Sequence, residues 1–149
     1  MRICRCFGTA LKLAQAPRFT HGVSVYWEDT DAGGVVYYAN YLKFMERCRT
    51  EWLRALGIDQ LRLRAEQNLQ FVVVNVTVDF LRPAQLHDEI LVTAELERLT
   101  GATINFKQTI MRGAEQLIDA TVRVACLDSG TLKPRAIPKD LFVEWRNAQ

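Results

Sequence analysis

Between Phe71 and Asp128 apolar and polar residues alternate through four long runs. Val72, Val74, Val76, Val78 and Phe80 share one face of the first. Ile90, Val92, Ala94 and Leu96 do so in the second. Ile104, Phe106 and Ile110 follow in the third, where Gln108 interrupts, and Ile118, Ala120, Val122, Val124 and Cys126 in the fourth. Side chains on a strand point to its two faces in turn, so each run buries one face and wets the other. The breaks at Thr100-Gly101 and Gly113-Ala114 are short enough only for hairpins. The last three strands therefore form an antiparallel meander.

The first half has a different period. Gly22–Trp27 reads as a strand. From Ala39 to Leu56 the positions Leu42, Met45, Cys48, Trp52, Leu53 and Leu56 recur at helical spacing, and Gly57 supplies the stop. Lys43, Glu46, Arg47, Arg49 and Arg54 fall largely on the other face. Asp59 suits the cap of a short second helix reaching about Gln67. One strand, one long helix and then a meander give an α+β fold with the helix packed on one sheet face.

At 149 residues the chain is long enough for one domain with a core of its own. A net charge of +2 gives no reason to expect nucleic acid or a membrane surface as partner, and no apolar run is long enough to span a bilayer. Cys4, Cys6, Cys48 and Cys126 lack metal or redox spacing and read as reduced thiols of a cytoplasmic protein. Residues 1–18, basic and without an acid, read as a loosely ordered extension, with 19–149 as the domain.

The chemistry concentrates in Val25–Tyr41, VYWEDTDAGGVVYYANY. A helix start carries unsatisfied N–H groups and partial positive charge, which can hold the oxyanion formed when a carbonyl is attacked. Gly33 and Gly34 allow a sharp turn and close ligand approach. An acid just before them can face the same carbonyl as nucleophile or as base for water. A thioester suits so sparse a site, because a thiolate with a pKa of about 8.5 leaves without help from an acid. His21 and His87 lie outside this stretch, which leaves little for a Ser-His-Asp arrangement. The plain alternative makes Asp29 and Asp31 turn residues. A calcium loop is a poor fit, since Gly33 and Asn40 stand where ligands are required.

Residues 23–57 resemble the signature of hot-dog-fold thioesterases of the 4-hydroxybenzoyl-CoA thioesterase type, and most of all their YbgC-like acyl-CoA thioesterase branch. The matching residues are Tyr26, Asp29-Thr30-Asp31, Gly34, Val36-Tyr37, Tyr41 and Glu46-Arg47-Cys48-Arg49-Thr50-Glu51. Asp79-Phe80-Leu81-Arg82-Pro83-Ala84 and Lys133-Pro134-Arg135 extend the likeness over about residues 20–143.

The resemblance implies a long helix wrapped by a curved antiparallel sheet of about five strands, and hydrolysis of acyl-CoA to free acid and coenzyme A without metal or cofactor. It places the catalytic carboxylate on Asp31 and the carbonyl-polarising amide on Tyr38, with Gly34 and Val35 against the substrate. It also implies homodimers or homotetramers with sites at subunit interfaces, Asp31 of one chain near the helix start of another. Many members have His where this chain has Tyr38. An acyl-carrier-protein thioesterase, or a non-catalytic acyl-binding protein of the envelope Tol–Pal system, is the alternative. Asp31 speaks against the latter, because an apolar pocket gains nothing from a charge.

Arg82, Lys107 and Arg135, with Arg112, Arg123 and Lys133, are candidates for coenzyme A phosphates. Solvated sheet positions are their ordinary alternative. Glu46 has the spacing to pair with Arg49 or Lys43. Trp27 and Phe80 suit either an acyl pocket or the core.

Overall fold

The computed structural model describes residues 18–141 and residue 143. The expected extension lies outside them except for Arg18, which opens the first strand. Five strands form one antiparallel sheet: β1 (Arg18–Ser24), β2 (Leu69–Phe80), β3 (Glu89–Leu99), β4 (Thr103–Arg112) and β5 (Glu115–Asp128), in the order β1-β3-β4-β5-β2. Helix α1 (Asn40–Ala55) packs closely against β1 and β3. Helix α2 (Gln60–Gln67) starts where expected, with Asp59 accepting from the N–H groups of Leu61 and Arg62.

Two expectations about strands change. The first strand lies earlier than Gly22–Trp27, because Arg18–Ser24 pairs with Glu89–Glu95, and Trp27–Asp29 is a 3-10 turn. In β2 the even-numbered residues do not all share a face. A bulge lies between Val73 and Asn75, so Val73 opposes Val124 while Val76 opposes Val122. One extra residue reverses the parity. Phe71, Val73, Val76, Val78 and Phe80 therefore share the inner face, and Val72 moves to the outer one.

The core is the contact of α1 with the inner sheet face. Phe44, Met45, Cys48 and Trp52 are buried there with Val92, Ile104, Phe106 and Ile110. Trp52 lies between Phe19 and Phe106, ring centroids 6.3 and 5.9 Å away. Leu42, assigned to the apolar stripe by its spacing, is 41% exposed, while Tyr41 and Phe44 are buried instead.

Gln108, which interrupts the apolar face of β4, is completely buried. Its Nε2 donates to the carbonyls of Met45 and Thr93, and its Oε1 accepts from Arg49 at 2.6 Å. Arg49 also reaches Glu46, as its spacing suggests. A buried amide with its bonds made is tolerated, and this one joins α1 to β3 and β4. Burial pushes the Cys48 thiol up to about 12 and the Cys126 thiol upward as well, which leaves both unreactive.

Gln108→Leu removes the acceptor for a largely buried guanidinium. It is expected to cost about 2 kcal/mol, the scale of a hydrogen bond to a charged group. Thermal unfolding should show that as a Tm lower by roughly 4–8 °C.

Candidate active site

After β1 the chain makes the 3-10 turn and then doubles back to α1. The two acids of this stretch do different work. Asp29 is buried, and its Oδ2 accepts the Tyr26 N–H at 2.9 Å. Its carbonyl accepts both the Tyr37 N–H and Asn40 Nδ2, each at 2.9 Å. Asp29 thus holds the turn closed and ties it to the helix start.

Asp31 is exposed and opens a tight hairpin loop. Its N–H donates to the Val35 carbonyl at 2.9 Å, and its carbonyl accepts from Gly34 at 3.0 Å. Thr30 and Val36 pair just beyond. This is a type I turn closed by a residue of positive φ, a role Gly34 fills at φ +78°. Asp31 Oδ1 accepts the Gly33 N–H at 2.8 Å. A Cβ on Gly33 would sit 3.0 Å from that oxygen. The turn role and the chemical role therefore coexist: one carboxylate oxygen fixes the side chain, and the other has no partner among the described residues.

The helix start is open. Ala39 occupies the cap position and offers no side-chain acceptor. The Tyr38 N–H makes no hydrogen bond among the described residues, whereas the Asn40 N–H donates to the Tyr37 carbonyl at 2.8 Å. The site thus combines a free amide at the positive end of α1 with a carboxylate oxygen free to act. The Tyr37 and Tyr38 rings lie 4.8 Å apart, centroid to centroid. The Tyr38 phenol, then burial and the Asp31 charge, push the Tyr37 hydroxyl upward.

The segment after β2 braces this loop. Val36 N–H donates to the Ala84 carbonyl, and Ala84 N–H to the Tyr41 hydroxyl, both at 2.9 Å. Val35 pairs with Gln85. Asp88 accepts from the Gln85 N–H at 2.8 Å and from Arg112 at 2.6 Å, and Arg112 also binds Glu115. Burial by itself would raise the Asp88 carboxyl; the Gln85 N–H and Arg112 outweigh it and hold the carboxyl low.

Asp31, Gly34, Val35 and Tyr38 all lie in the single loop that runs from the 3-10 turn to α1. Of the phosphate candidates, Arg82 lies near, two residues beyond Phe80, which contacts Tyr38 edge-on at 6.3 Å, and Arg112 shares its partner Glu115. The Arg82 guanidinium pairs with Glu115 at 3.0 Å. Lys107 points away from the helix, between inward-facing Phe106 and Gln108, and binds Asp119 at 2.6 Å. Arg135 binds the Gln67 carbonyl and Asp128 at the other end of β2. Eleven residue steps separate the two ends of β2, about 36 Å. Arg112 is an internal brace, and Arg123 stands on β5 opposite Asn75 and Asn105.

Sequence reasoning named Tyr41 and Ala84 as matching residues and Asn40 in a calcium-loop test, but assigned none of them, nor Asp88, a bracing role. Their roles are hydrogen bonds across 11 to 43 positions of chain, or within a turn, and leave no periodic trace.

A family model described as the thioesterase superfamily matches residues 33–118. The chain is 50% identical over 123 residues to an acyl-CoA thioesterase YbgC of Haemophilus influenzae, covering 83% of this chain and 90% of that protein. It is 43% identical over 129 residues to an acyl-CoA thioester hydrolase YbgC of Escherichia coli, covering 86% and 96%. Among solved structures, a probable thioesterase from Bartonella henselae superposes with a TM-score of 0.77 at 36% identity, covering 81% of this chain and 99% of that one.

Asp29→Ala should lower the Tm by several degrees, since it strips a buried turn of an acceptor worth on the order of 1–3 kcal/mol. Asp31→Ala, which loses only an exposed turn bond, should move it by less than about half as much; melting curves of the pair check this. Asp88 and Asp128 both have folded-state pKa values held below their unfolded ones. Their stabilisation is complete above the unfolded carboxyl pKa, about 3.9, and is lost as pH falls through the lowered folded value. Tm should therefore fall on acidification below about pH 5, and Asp88→Asn should make that fall shallower.

Proposed function

The chain belongs to the thioesterase superfamily and is an acyl-CoA thioester hydrolase, and we propose that its reaction takes place where Asp31 faces the start of α1. The observation that carries this reading is the pairing of an uncapped helix-end amide with a carboxylate that keeps one oxygen free. The thioester carbonyl oxygen accepts the Tyr38 N–H, which withdraws electrons from the carbonyl carbon. The free Asp31 oxygen then attacks that carbon or takes a proton from an attacking water. Charge builds on the oxygen held at the helix end, and it collapses with expulsion of the coenzyme A thiolate. The acid is released directly, or after water opens the mixed anhydride formed on Asp31. Gly34 and Val35 form the backbone beneath the substrate. Arg82 is the phosphate contact consistent with this location, whereas Lys107 and Arg135 are held elsewhere.

The assembly belongs to the same proposal. Strand β2 is an edge, bonded on one side to β5, and Val72, Val73, Val74 and Val76 are each 37–50% exposed. A long apolar edge demands cover. A second copy pairing along β2 about a two-fold axis gives a homodimer, and a tetramer is its extension. Cys48 and Cys126 are free and buried, which suits the cytoplasm. Among the described residues no helix is long and apolar enough to cross a membrane.

Asp31→Asn should lower kcat on acyl-CoA by roughly 10²–10⁴, the scale for a positioned base, while Asp29→Asn keeps most of the activity of whatever protein folds. Tyr38→Phe retains the amide and should stay within a few fold. Tyr38→Pro removes it and should cost about 10² or more, with circular dichroism confirming the fold. Thiol release measures both series, and full activity in Asp31→Asn would sink the proposal. Light scattering should find a dimer or tetramer, and a β2 edge variant such as Val74→Lys should shift it toward monomer.

A further inference from the structure

Asn40 and Tyr41, the first two residues of α1, both reach out of the helix toward the loop that carries Asp31. Three short segments lie side by side there. Asp29–Asp31 pairs with Val35–Tyr37 through the N–H groups of Asp31 and Tyr37 and the bridge between Thr30 and Val36. Val35 and Val36 pair in turn with Gln85 and Ala84. Asp31 stands at the turn of this small ladder, so its carboxylate moves with the ladder.

The two outer segments are fastened to successive residues of one helix turn. Asn40 Nδ2 donates to the Asp29 carbonyl at 2.9 Å. On the other side the Tyr41 hydroxyl accepts the Ala84 N–H at 2.9 Å, and the Ala84 carbonyl accepts the Val36 N–H. Asp29, Asn40, Tyr41 and Ala84 are all buried. A ladder held at one edge can still rotate about that edge, whereas one held at both edges cannot. Asp88 and Arg112 tie the Ala84–Gln85 segment to the sheet, and Tyr41 ties it to the helix. The Tyr41 ring is held independently, with Phe44 and Phe80 at centroid distances of 6.2 and 5.9 Å. A phenylalanine would serve that packing equally well. Burial pushes the Tyr41 hydroxyl upward, so it stays a neutral phenol, and what it adds is the bond to Ala84.

We propose that Asn40 and Tyr41 are positioning residues for the hydrolysis, and that between them they fix the separation of the Asp31 carboxylate from the Tyr38 amide. The proposal rests on the reaction centre set out under the proposed function. Neither side chain has to touch substrate for this. Each acts through the ladder, from the same helix start that carries the amide. A misplacement of about 1 Å in a reacting group can cost on the order of 100-fold in rate. Loosening either edge should therefore fall on the chemical step and leave substrate binding largely alone.

The test is kcat and KM on one acyl-CoA for wild type, Tyr41→Phe, Asn40→Ala, Asp31→Asn and the double variant Tyr41→Phe with Asp31→Asn. Tyr41→Phe should lower kcat about tenfold or more with KM within about threefold of wild type. Asn40→Ala should give the same split, and it stands in if Tyr41→Phe does not fold. Asp59→Ala strips α2 of its cap away from the loop, and should lower Tm while keeping kcat. Lost stability alone then does not account for the split. In the Asp31→Asn background Tyr41→Phe should cost less than about twofold more, because a displaced ladder no longer carries a carboxylate. Wild-type kcat in Tyr41→Phe, or in Asn40→Ala where it stands in, would overturn the proposal. So would a change confined to KM, or the full loss persisting in the Asp31→Asn background. Asp31→Asn separates the two readings: its full activity would remove the proposed reaction centre, whereas an inactive Asp31→Asn beside a fully active Tyr41→Phe would remove only the positioning role.

Discussion

The Asp29 carbonyl accepts two hydrogen bonds, from the Tyr37 N–H and from Asn40 Nδ2, and with them the loop before α1 is fastened to the helix that follows. Without that junction the hairpin carrying Asp31 would be tied to the helix only indirectly, through Val35 and Val36 on Gln85 and Ala84. The helix-end amide would then be an ordinary unsatisfied donor. With it, the donor and the carboxylate are held by the same few residues, and the Gly33 N–H sets the rotation of the Asp31 side chain. In the reaction proposed for Asp31 and the Tyr38 amide, preorganisation of this kind spares both groups reorientation as charge develops.

The junction depends in turn on the sheet. Helix α1 is seated on β1 and β3 by Phe44, Met45 and Trp52 and pinned by Gln108, a polar residue spending every one of its bonds inside the core. The segment between β2 and β3 then reaches back through Ala84 to Tyr41 and Val36. Arg112 and Asp88 anchor that segment to the β4–β5 hairpin. Most of these charges are structural. That is why a basic side chain in this sequence is poor guidance to phosphate binding: Arg82, Lys107, Arg112 and Arg135 all have carboxylate partners within the chain.

An off-centre helix has a cost and a use. It leaves the inner face of β2 unfilled and its outer edge unpaired, so the same strand presents two kinds of unfinished surface. The edge is the surface proposed above to pair with another copy of the chain, and the inner face carries Val73, Val76 and Phe80 part-exposed. The bulge at Val74 matters to both, since it decides which valines point inward.

Much of this was legible in the sequence. The period of two in the second half, the helical spacing after Ala39, the Asp59 cap and the two tight turns all depend on nearest neighbours along the chain. So does the DTDAGG turn, whose Asp and Gly residues are required by local backbone geometry. What the sequence left open depends on contacts between distant segments. Gln108 reads as a break in an apolar face until Arg49 and Met45 are seen against it. Val72 and Val74 look like core residues until a one-residue bulge, invisible in composition, reverses the strand's parity. Asp29 and Asp31 are equivalent turn formers by local rules, and only the tertiary structure separates them. It buries one under Tyr26 and Asn40 and leaves the other exposed in the turn, because burial is a property of what the rest of the chain packs around a residue.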